Sequence, residues 1–305
     1  MHEFGEEKLA PANGIELAYQ EMGDPEGEPL ILVMGLATQM IAWPEDFCSL
    51  LADRGFRVVR FDNRDSGRST KLDSAGVPSR IDMMSGRRAT APYLLRDMAR
   101  DTFGLMDHLG FDSAHLMGVS MGGMVVQTAA IEEPERVRSM VSAMSTTGSR
   151  WTGLPSVRAF GVLVSAPPKG RDAIVERGIK TFKVIGSPDF PFDEERVRDV
   201  AGRSHDRGHS AAGVLRQLHA ITASGDRTGA LRNVEVPTTV IHGSRDPLVR
   251  PAGGRATARA IPGARLRIID GMGHDLPRAV WPEVVEAIAE NAARAPERAV
   301  VTQSA

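Results

Sequence analysis

The stretch AHLMGVSMGGMVVQTAA, residues 114–130, decides the fold. Its first part, Ala114–Val119, is an apolar run typical of a strand buried on both faces, and Met121–Glu133 is typical of a buried helix. Ser120 lies between them, within the G-x-S-x-G pattern of residues 118–122. A serine at so sharp a strand-to-helix turn is strained, and the glycines leave room for neighbouring chain. The stretch therefore predicts an accessible nucleophilic hydroxyl at the end of a strand, with a buried structural serine as the alternative.

Strand-like and helix-like runs alternate on both sides of this stretch. Repeated strand–helix–strand units predict a parallel sheet. The predicted fold class is therefore α/β, a mostly parallel central sheet flanked by helices. The runs that predict strands are Leu30–Gly35, Arg57–Phe61, Val137–Met144, Pro237–His242 and Ala264–Ile269, and the runs with helical spacing are Trp43–Arg54, Tyr93–Leu109, Pro251–Ala260 and Trp281–Ala293.

One long segment interrupts the alternation. Residues 148–230 contain no run typical of a core strand, only helical patterns separated by segments rich in proline and glycine. A segment of roughly eighty residues is too long to be an ordinary loop. We therefore predict an α/β core at 1–147 and 231–296, a helical cap at 148–230, and a frayed tail at 297–305.

The composition excludes several classes of protein. The 37 Lys and Arg residues against 39 Asp and Glu leave a net charge of −2, with the signs mixed along the chain. Neither nucleic acid nor a membrane surface is therefore an expected partner. A hydrophobic share of 42% is too high for a disordered chain. The longest apolar runs, such as Leu30–Ala37, are far shorter than the roughly 18 residues of a membrane span.

The cysteine, glycine and histidine patterns give no indication of a disulfide, a metal or a cofactor. The single Cys48 cannot form an internal disulfide, and we expect a core residue of a cytoplasmic protein. The acidic start MHEFGEEKLAPANG lacks the apolar segment of a signal peptide. No G-x-G-x-x-G follows an early strand, which disfavours a dinucleotide cofactor. His205 and His209 are four residues apart, but without a third ligand they are more typical of a solvated pair than of a metal site.

A serine hydroxyl needs a base to remove its proton, and one of the eight histidines is well placed. His274 lies in the glycine-rich sequence GMGHD, directly after the last predicted strand. Asp246 follows the preceding predicted strand, and carboxyl ends of parallel strands share one edge of a sheet. His242 also ends a strand, but its neighbours lead directly to Asp246. Ser120, Asp246 and His274 are therefore the predicted catalytic triad, in that chain order.

Over nearly its full length the chain resembles the α/β-hydrolases, in which this order of triad residues recurs. Residues 61–69, FDNRDSGRS, resemble the D-x-R-G-x-G-x-S segment of that superfamily, with Asp65 in place of the first glycine. Together with Val33-Met34-Gly35-Leu36 and Trp43-Pro44, the segment is most similar to the esterases grouped with aclacinomycin methylesterase. Those enzymes hydrolyse a methyl ester on an anthracycline polyketide.

The resemblance implies an oxyanion hole made of two backbone N–H groups. Carried over, they belong to Met121, which follows the nucleophile, and to Leu36, which follows an early strand, with Ala37 as the alternative second donor. Small or apolar residues at strand ends or beside the triad are predicted to line an adaptable substrate pocket, with ordinary core filling as the alternative. These residues are Met34, Gly35, Met40, Trp43, Met144 and Met272.

The predicted function is a serine carboxylesterase that hydrolyses a hydrophobic ester through an acyl-enzyme intermediate, without metal or cofactor. The resemblance implies a polyketide methyl ester as a candidate substrate. Perhydrolases of the haloperoxidase type, lactonases and carbon–carbon bond hydrolases use the same triad, and the residues do not separate them. A non-catalytic small-molecule receptor on the same fold is the alternative from another class. The oligomeric state is left open.

Overall fold

A computed structural model describes residues 2–164 and 170–296; the tail expected to be frayed, 297–305, lies outside these residues. The strands of the described residues are β1 (Lys8–Ala12), β2 (Ile15–Met22), β3 (Glu28–Val33), β4 (Phe56–Phe61), β5 (Ala114–Val119), β6 (Val137–Ala143), β7 (Thr238–Gly243) and β8 (Arg265–Ile269). They form one sheet in the order β1-β2-β4-β3-β5-β6-β7-β8. Strand β2 pairs antiparallel with β1 and β4, and the other neighbouring pairs are parallel.

The helices of the described residues lie between and after these strands. They are α1 (Glu45–Ala52), α2 (Arg80–Ser85), α3 (Leu95–His108), α4 (Met121–Glu132), α5 (Val157–Val164), α6 (Arg171–Ile185), α7 (Glu194–Gly208), α8 (Ala211–Ser224), α9 (Thr228–Leu231), α10 (Ala252–Ala260) and α11 (Trp281–Ala292). None of them has the length and apolar character needed to cross a bilayer.

The centre of the sheet is covered on both faces, which is why the central parallel strands β3 and β5 are nearly continuous apolar runs in the sequence. Every residue of β5 is buried. One face packs on α3 and α4 through a core that includes Phe61 and Met106. The other face packs on α1 and α11 through Phe47 and Val284. Each large apolar side chain buried in this way contributes roughly 1.5–3 kcal/mol.

The predicted fold class, a mostly parallel α/β sheet flanked by helices, is confirmed. The strand predicted at Ala114–Val119 has the predicted bounds. The helix expected from Trp43 begins at Glu45, because Pro44 before it is extended, with ψ 136°.

The N-terminal hairpin was not predicted. Strands β1 and β2 are joined by Asn13 and Gly14, whose φ angles are 47° and 77°. Two consecutive positive φ angles match the type I′ turn that joins twisted antiparallel strands. The Asn-Gly pair between two partly alternating runs was therefore a signal that the sequence carried.

Helices α5 to α9 lie between β6 and β7 in the described residues, and all but the end of α9 lie within residues 148–230. We call this segment the cap; that it is a domain separate from the core stays a prediction. Helices α6 and α7 pack against each other, while α8 packs against α2 and α3 of the core. The cap is thus attached to the core through α8, close to the carboxyl ends of β3 and β4.

Candidate active site

Ser120 lies at the junction of β5 and α4 with φ 55° and ψ −117°. Non-glycine residues take such a conformation only under constraint. A Cβ on Gly118 would lie 2.1 Å from the Gly122 carbonyl oxygen, and one on Gly122 would lie 2.1 Å from the Val33 carbonyl oxygen. Both glycines are therefore required by close backbone contact. The turn places the hydroxyl at the N-terminus of α4, whose free N–H groups favour a developing negative charge.

Asp246 and His274 are joined by a hydrogen bond of 2.7 Å between Oδ2 and Nδ1. They follow the adjacent parallel strands β7 and β8, so they lie at the same sheet edge as Ser120. The other Asp246 oxygen accepts the N–H groups of Leu248 and Val249, both at 2.9 Å. Because the carboxylate is an acceptor, Nδ1 of His274 is the donor and Nε2 is left as the base.

In the part of the chain that the structure describes, no hydrogen bond joins Ser120 Oγ to the His274 ring. Such catalytic contacts are often long in the free enzyme and shorten when substrate binds. The structure therefore joins two members of the predicted triad, Asp246 and His274, and holds the third at the same edge. The catalytic role of the three residues stays a prediction.

Gly35 lies directly against the serine. A Cβ at Gly35 would be 3.1 Å from Ser120 Cβ and 3.7 Å from Ser120 Oγ. Residues 35–38 form a turn in which the Thr38 N–H donates to the Gly35 carbonyl at 3.3 Å. The loop after β3 therefore runs beside the hydroxyl, as an oxyanion-binding loop must.

The two alternatives for the second oxyanion donor differ in their hydrogen bonding. The Ala37 N–H donates to Oε1 of Gln217, on α8, at 3.1 Å. The Leu36 N–H has no such acceptor among the described residues and is the donor left on this turn. Leu36 and Met121, the first residue of α4, remain the predicted oxyanion pair.

The residues predicted to line a substrate pocket are all buried, Gly35 included. The methionines and the tryptophan among them are each at most 7% exposed. Trp43 stacks on Phe47 with the ring centroids 6.0 Å apart. These contacts are typical of core packing, and the pocket role stays a prediction. The members that belong to the core between the sheet and α1 are Met34, Trp43, Met144 and Met272, and Met40 is likewise fully buried.

The conformation and contacts of Asp65 explain why this chain can depart from the D-x-R-G-x-G-x-S pattern at that position. Its φ is 67°, the left-handed conformation that glycine adopts most easily. Arg216 of α8 donates to both carboxylate oxygens, at 2.9 and 2.7 Å, and the Tyr93 hydroxyl donates at 2.8 Å. Burial raises the pKa of Asp65, but hydrogen bonds from Arg216, the Leu72 N–H and Tyr93 outweigh it and hold that pKa below its usual value. The residue thus ties the cap to the core.

A second ion pair joins α7 to the same loop. Arg207 donates to Asp62 Oδ2 at 2.9 Å, while Asp62 Oδ1 accepts the Met40 N–H at 2.7 Å. Asp62 is fully buried. Asp62, the first aspartate of the FDNRDSGRS segment, is therefore also a cap contact in this chain.

The loop that carries His274 is held by the end of α6. The His274 N–H donates to the Ile185 carbonyl at 2.7 Å. The Gly273 N–H donates to Ser187 Oγ at 2.8 Å, and the Ser187 hydroxyl donates to Asp275 Oδ1 at 2.5 Å. Burial raises the pKa of Asp275, against the lowering effect of its hydrogen bonds to Ser187 and of nearby positive charge. The cap therefore contacts the proposed base directly.

Sequence reasoning missed three residues of this site: Ser187, Arg216 and Gln217. All three lie in the cap, where no motif marks them. Their partners are more than eighty residues away along the chain. Only the packing of the cap on the core brings them to the catalytic edge.

The other candidate groups do not form a second site in the described residues. Cys48 is fully buried, and burial raises the pKa of its thiol to about 12, so it is a protonated core residue at neutral pH. No cluster of three His, Cys, Asp or Glu side chains suited to a metal is found there. His242 Nε2 bonds the Val249 carbonyl at 2.7 Å, and burial lowers the pKa of this ring.

Comparison with known proteins supports the fold. The sequence model of the alpha/beta hydrolase fold matches residues 28–182. The chain is 28% identical to rhodomycin D methylesterase DnrP of Streptomyces peucetius, over 90% of this chain and 94% of that protein. It is 27% identical to rhodomycin D methylesterase DauP of Streptomyces sp. (strain C5), over 92% of this chain and 96% of that protein. The enol-lactonase from Burkholderia xenovorans LB400 superposes with a TM-score of 0.71 at 24% identity, covering 94% of this chain and all of that one.

Proposed function

The chain belongs to the alpha/beta hydrolase fold family, and on that premise we propose that it is a serine carboxylesterase acting on a hydrophobic methyl ester. The observation that carries the proposal is the constrained conformation of Ser120 at the start of α4, on the sheet edge that holds the buried Asp246–His274 pair. A receptor pocket needs neither a strained serine nor a base oriented by a carboxylate. The similarity to two methylesterases over at least nine-tenths of the chain supports the ester bond as the target.

In the first half-reaction, Ser120 Oγ attacks the ester carbonyl carbon while His274 Nε2 takes its proton. Asp246 holds the imidazole tautomer and stabilises the imidazolium that forms. The carbonyl π electrons move to oxygen, which accepts the N–H groups of Met121 and Leu36, and loss of one such donor typically costs roughly 3–4 kcal/mol. The carbon–oxygen bond to the alcohol then breaks, and His274 gives its proton to the departing methanol.

In the second half-reaction, water attacks the acyl-enzyme while His274 takes a proton from it. The second tetrahedral intermediate is held by the same backbone donors. Its collapse releases the carboxylic acid and returns the proton to Ser120 Oγ. The two half-reactions consume one water and yield one acid and one methanol, and they use no metal or organic cofactor.

We further propose that the substrate class is a methyl ester of an aromatic polyketide and that the enzyme works in the cytoplasm. The first proposal is supported by the activity named for both methylesterases. The second is supported by the single cysteine, which excludes an internal disulfide.

Labelling with a fluorophosphonate tests the enzyme proposal. We expect one adduct per chain on Ser120, lost in Ser120→Ala and retained in Ser79→Ala, which alters an exposed serine. Absence of any adduct on folded wild-type protein would contradict a serine hydrolase.

A substrate panel of polyketide methyl esters, 4-nitrophenyl acyl esters and lactones tests the substrate class. We expect the polyketide methyl esters to be hydrolysed with the highest kcat/KM. Turnover of lactones with inert methyl esters would instead favour the lactonase alternative and refute the methylesterase assignment.

A further inference from the structure

Gln217, on cap helix α8, bridges two loops of the core at the catalytic edge. Its Oε1 accepts the Ala37 N–H at 3.1 Å, and its Nε2 donates to the Arg64 carbonyl at 2.8 Å. The side chain is buried, with 1% of its surface exposed. Because one end of the amide faces a donor and the other an acceptor, its orientation is determined by these two partners.

The contact with Ala37 falls on a turn whose shape depends on a single peptide. Residues 35–38 close through the Thr38 N–H and the Gly35 carbonyl, and Ala37, the third residue, has φ 60°. A positive φ at that position is the mark of a type II turn, which differs from type I by a flip of the central peptide. That peptide joins Leu36 to Ala37, and its N–H is the group that Gln217 binds.

The positive φ is unfavourable for Ala37, because its Cβ crowds the backbone in this conformation. Type I geometry would relieve this strain but would turn the Ala37 N–H away from Gln217. A buried amide acceptor left without its donor is costly as well. The hydrogen bond to Gln217 therefore favours the observed turn over the relaxed one.

The neighbouring residue fixes α8 in place. Arg216 is buried against Asp65 through two hydrogen bonds of 2.9 and 2.7 Å. A Cβ on Gly213, one turn earlier, would lie 2.5 Å from the Asp65 carbonyl oxygen, so the helix backbone rests directly on this loop. Gln217 thus projects from a rigid part of the cap.

We propose that Gln217 is a positioning residue for the oxyanion hole: by binding the Leu36–Ala37 peptide it fixes the turn at residues 35–38 against the cap, and the Leu36 N–H, which belongs to the preceding peptide of that turn, keeps its place beside Ser120. The inference rests on the proposed function. If Gln217 has this role, α8 must be packed on the core for the oxyanion to be fully stabilised. The cap then acts on the rate of the chemical step as well as on access to the site.

The test replaces Gln217 by methionine, which keeps the volume of the side chain and removes both hydrogen bonds. With 4-nitrophenyl acetate we expect Q217M to lower kcat about tenfold or more, with KM changed by less than about twofold. The inhibition constant of a trifluoromethyl ketone, which forms a tetrahedral adduct, should rise in parallel with the loss of kcat. Binding of the product acid should not change.

Gln127 provides the matched control. It is also fully buried, and its amide makes two side-chain hydrogen bonds, to Ser142 at 3.0 Å and from Arg227 at 3.3 Å. We expect Q127M to lose a similar amount of stability while its kcat and its affinity for the ketone stay near wild type. Equal effects of Q127M and Q217M on these two quantities, or no effect of Q217M, would overturn the proposal.

Gln217→Asn keeps the amide but is too short to reach both loops, and it replaces Q217M in the same comparison if the methionine variant does not fold. We expect Q217N to lower kcat and the affinity for the ketone together, and an unchanged Q217N would overturn the proposal. A wild-type protein that neither hydrolyses esters nor reacts with a fluorophosphonate would refute the proposed function itself. An active wild type with unaffected Gln217 variants refutes only the role of Gln217.

Discussion

Asp65 and Arg216 form a buried ion pair across the boundary between core and cap, with hydrogen bonds of 2.9 and 2.7 Å and side chains that are 0% and 1% exposed. The carboxylate is carried by a residue in the left-handed region, which costs a non-glycine residue on the order of 1 kcal/mol. The pair and the Tyr93 hydroxyl offset that strain. A turn position suited to glycine has thus become the anchor of the cap.

This anchor predicts strong coupling between its two residues. Arg216→Met leaves the buried Asp65 carboxylate without its cation, and we expect a loss of about 3 kcal/mol in the free energy of unfolding. Asp65→Gly removes the backbone strain but takes from Arg216 its buried carboxylate partner and leaves it the exposed Asp73, at 3.0 Å. The double variant D65G/R216M should lose less free energy of unfolding than the two single variants lose together. Urea unfolding in a double-mutant cycle measures these losses.

The exposed pair of Arg198 and Glu176, at 3.0 Å, is the control for that cycle. Because both side chains are about half exposed, R198M should lower the free energy of unfolding much less than R216M does. Additive effects of D65G and R216M would show that the buried pair is not a unit.

The Asp246–His274 hydrogen bond predicts a large loss of kcat in Asp246→Asn. An amide in place of the carboxylate can favour the wrong tautomer of His274 and no longer stabilises the imidazolium. We expect kcat to fall by about 10³–10⁴ with little change in KM. Steady-state kinetics with a 4-nitrophenyl ester measure both quantities.

Asp270 gives the control for this substitution. It is an exposed carboxylate near the same sheet edge and accepts a hydrogen bond from Ser244 at 2.8 Å. We expect D270N to keep kcat within about twofold of wild type. A D246N variant that retains wild-type kcat would rule out Asp246 as the partner of the catalytic base.

The contact between the end of α6 and the histidine loop predicts a kinetic effect of Ser187→Ala. The change leaves the Gly273 N–H and the Asp275 carboxylate without their hydroxyl partner, and the loop next to His274 loses its fixed position. We expect kcat to fall about tenfold. Ser79→Ala, which removes a helix N-cap bond at 3.1 Å, should cost about 1 kcal/mol of stability without affecting kcat. Equal kinetics for the two variants would contradict the positioning role.

The raised pKa of the buried Asp275 predicts that this carboxyl stabilises the fold at low pH, whereas a paired surface carboxylate stabilises it at high pH. Burial raises the pKa of Asp275, so the folded protein holds this proton more tightly than the unfolded chain does. Its contribution to stability is fully present below the usual aspartate pKa and is lost as the pH rises through the raised value. Asp275→Asn should therefore gain stability relative to wild type as the pH rises from 3 to 7, measured by thermal unfolding.

The same variant has a kinetic consequence. The Asp275 carboxylate interacts favourably with a protonated His274 ring. Its removal takes away a charge that stabilises the imidazolium formed during the reaction, so we expect a lower kcat with KM little changed, measured by steady-state kinetics with a 4-nitrophenyl ester. A D275N variant with wild-type kcat would show that Asp275 does not act on the base.

Local patterns were enough to predict the fold and the order of the triad residues. The run Ala114–Val119 is apolar on both sides because helices cover both faces of the sheet, and the glycines at 118 and 122 are required by contacts within the same turn. Asp246 and His274 were found because each follows an apolar strand. These signals are encoded by residues that are close together in the sequence.

The contacts between cap and core carry no such signal. Gln217 is 180 residues from Ala37, and Arg216 is 151 residues from Asp65. Their side chains are ordinary polar residues of an amphipathic helix when α8 is considered alone. The position of α8 on the core decides what they bind, and that position depends on packing that no local pattern describes.

Two hydrogen bonds, donated by the His274 N–H to the Ile185 carbonyl and by the Ala37 N–H to Gln217, bear on how such enzymes are recombined. A cap transplanted from a relative would bring its own residues to both positions. The cap of the chimera would then make different contacts with the histidine loop and with the turn beside Ser120. Exchange of caps in this scaffold therefore alters turnover together with substrate choice, and a donor cap transfers cleanly only with the core loops it evolved against.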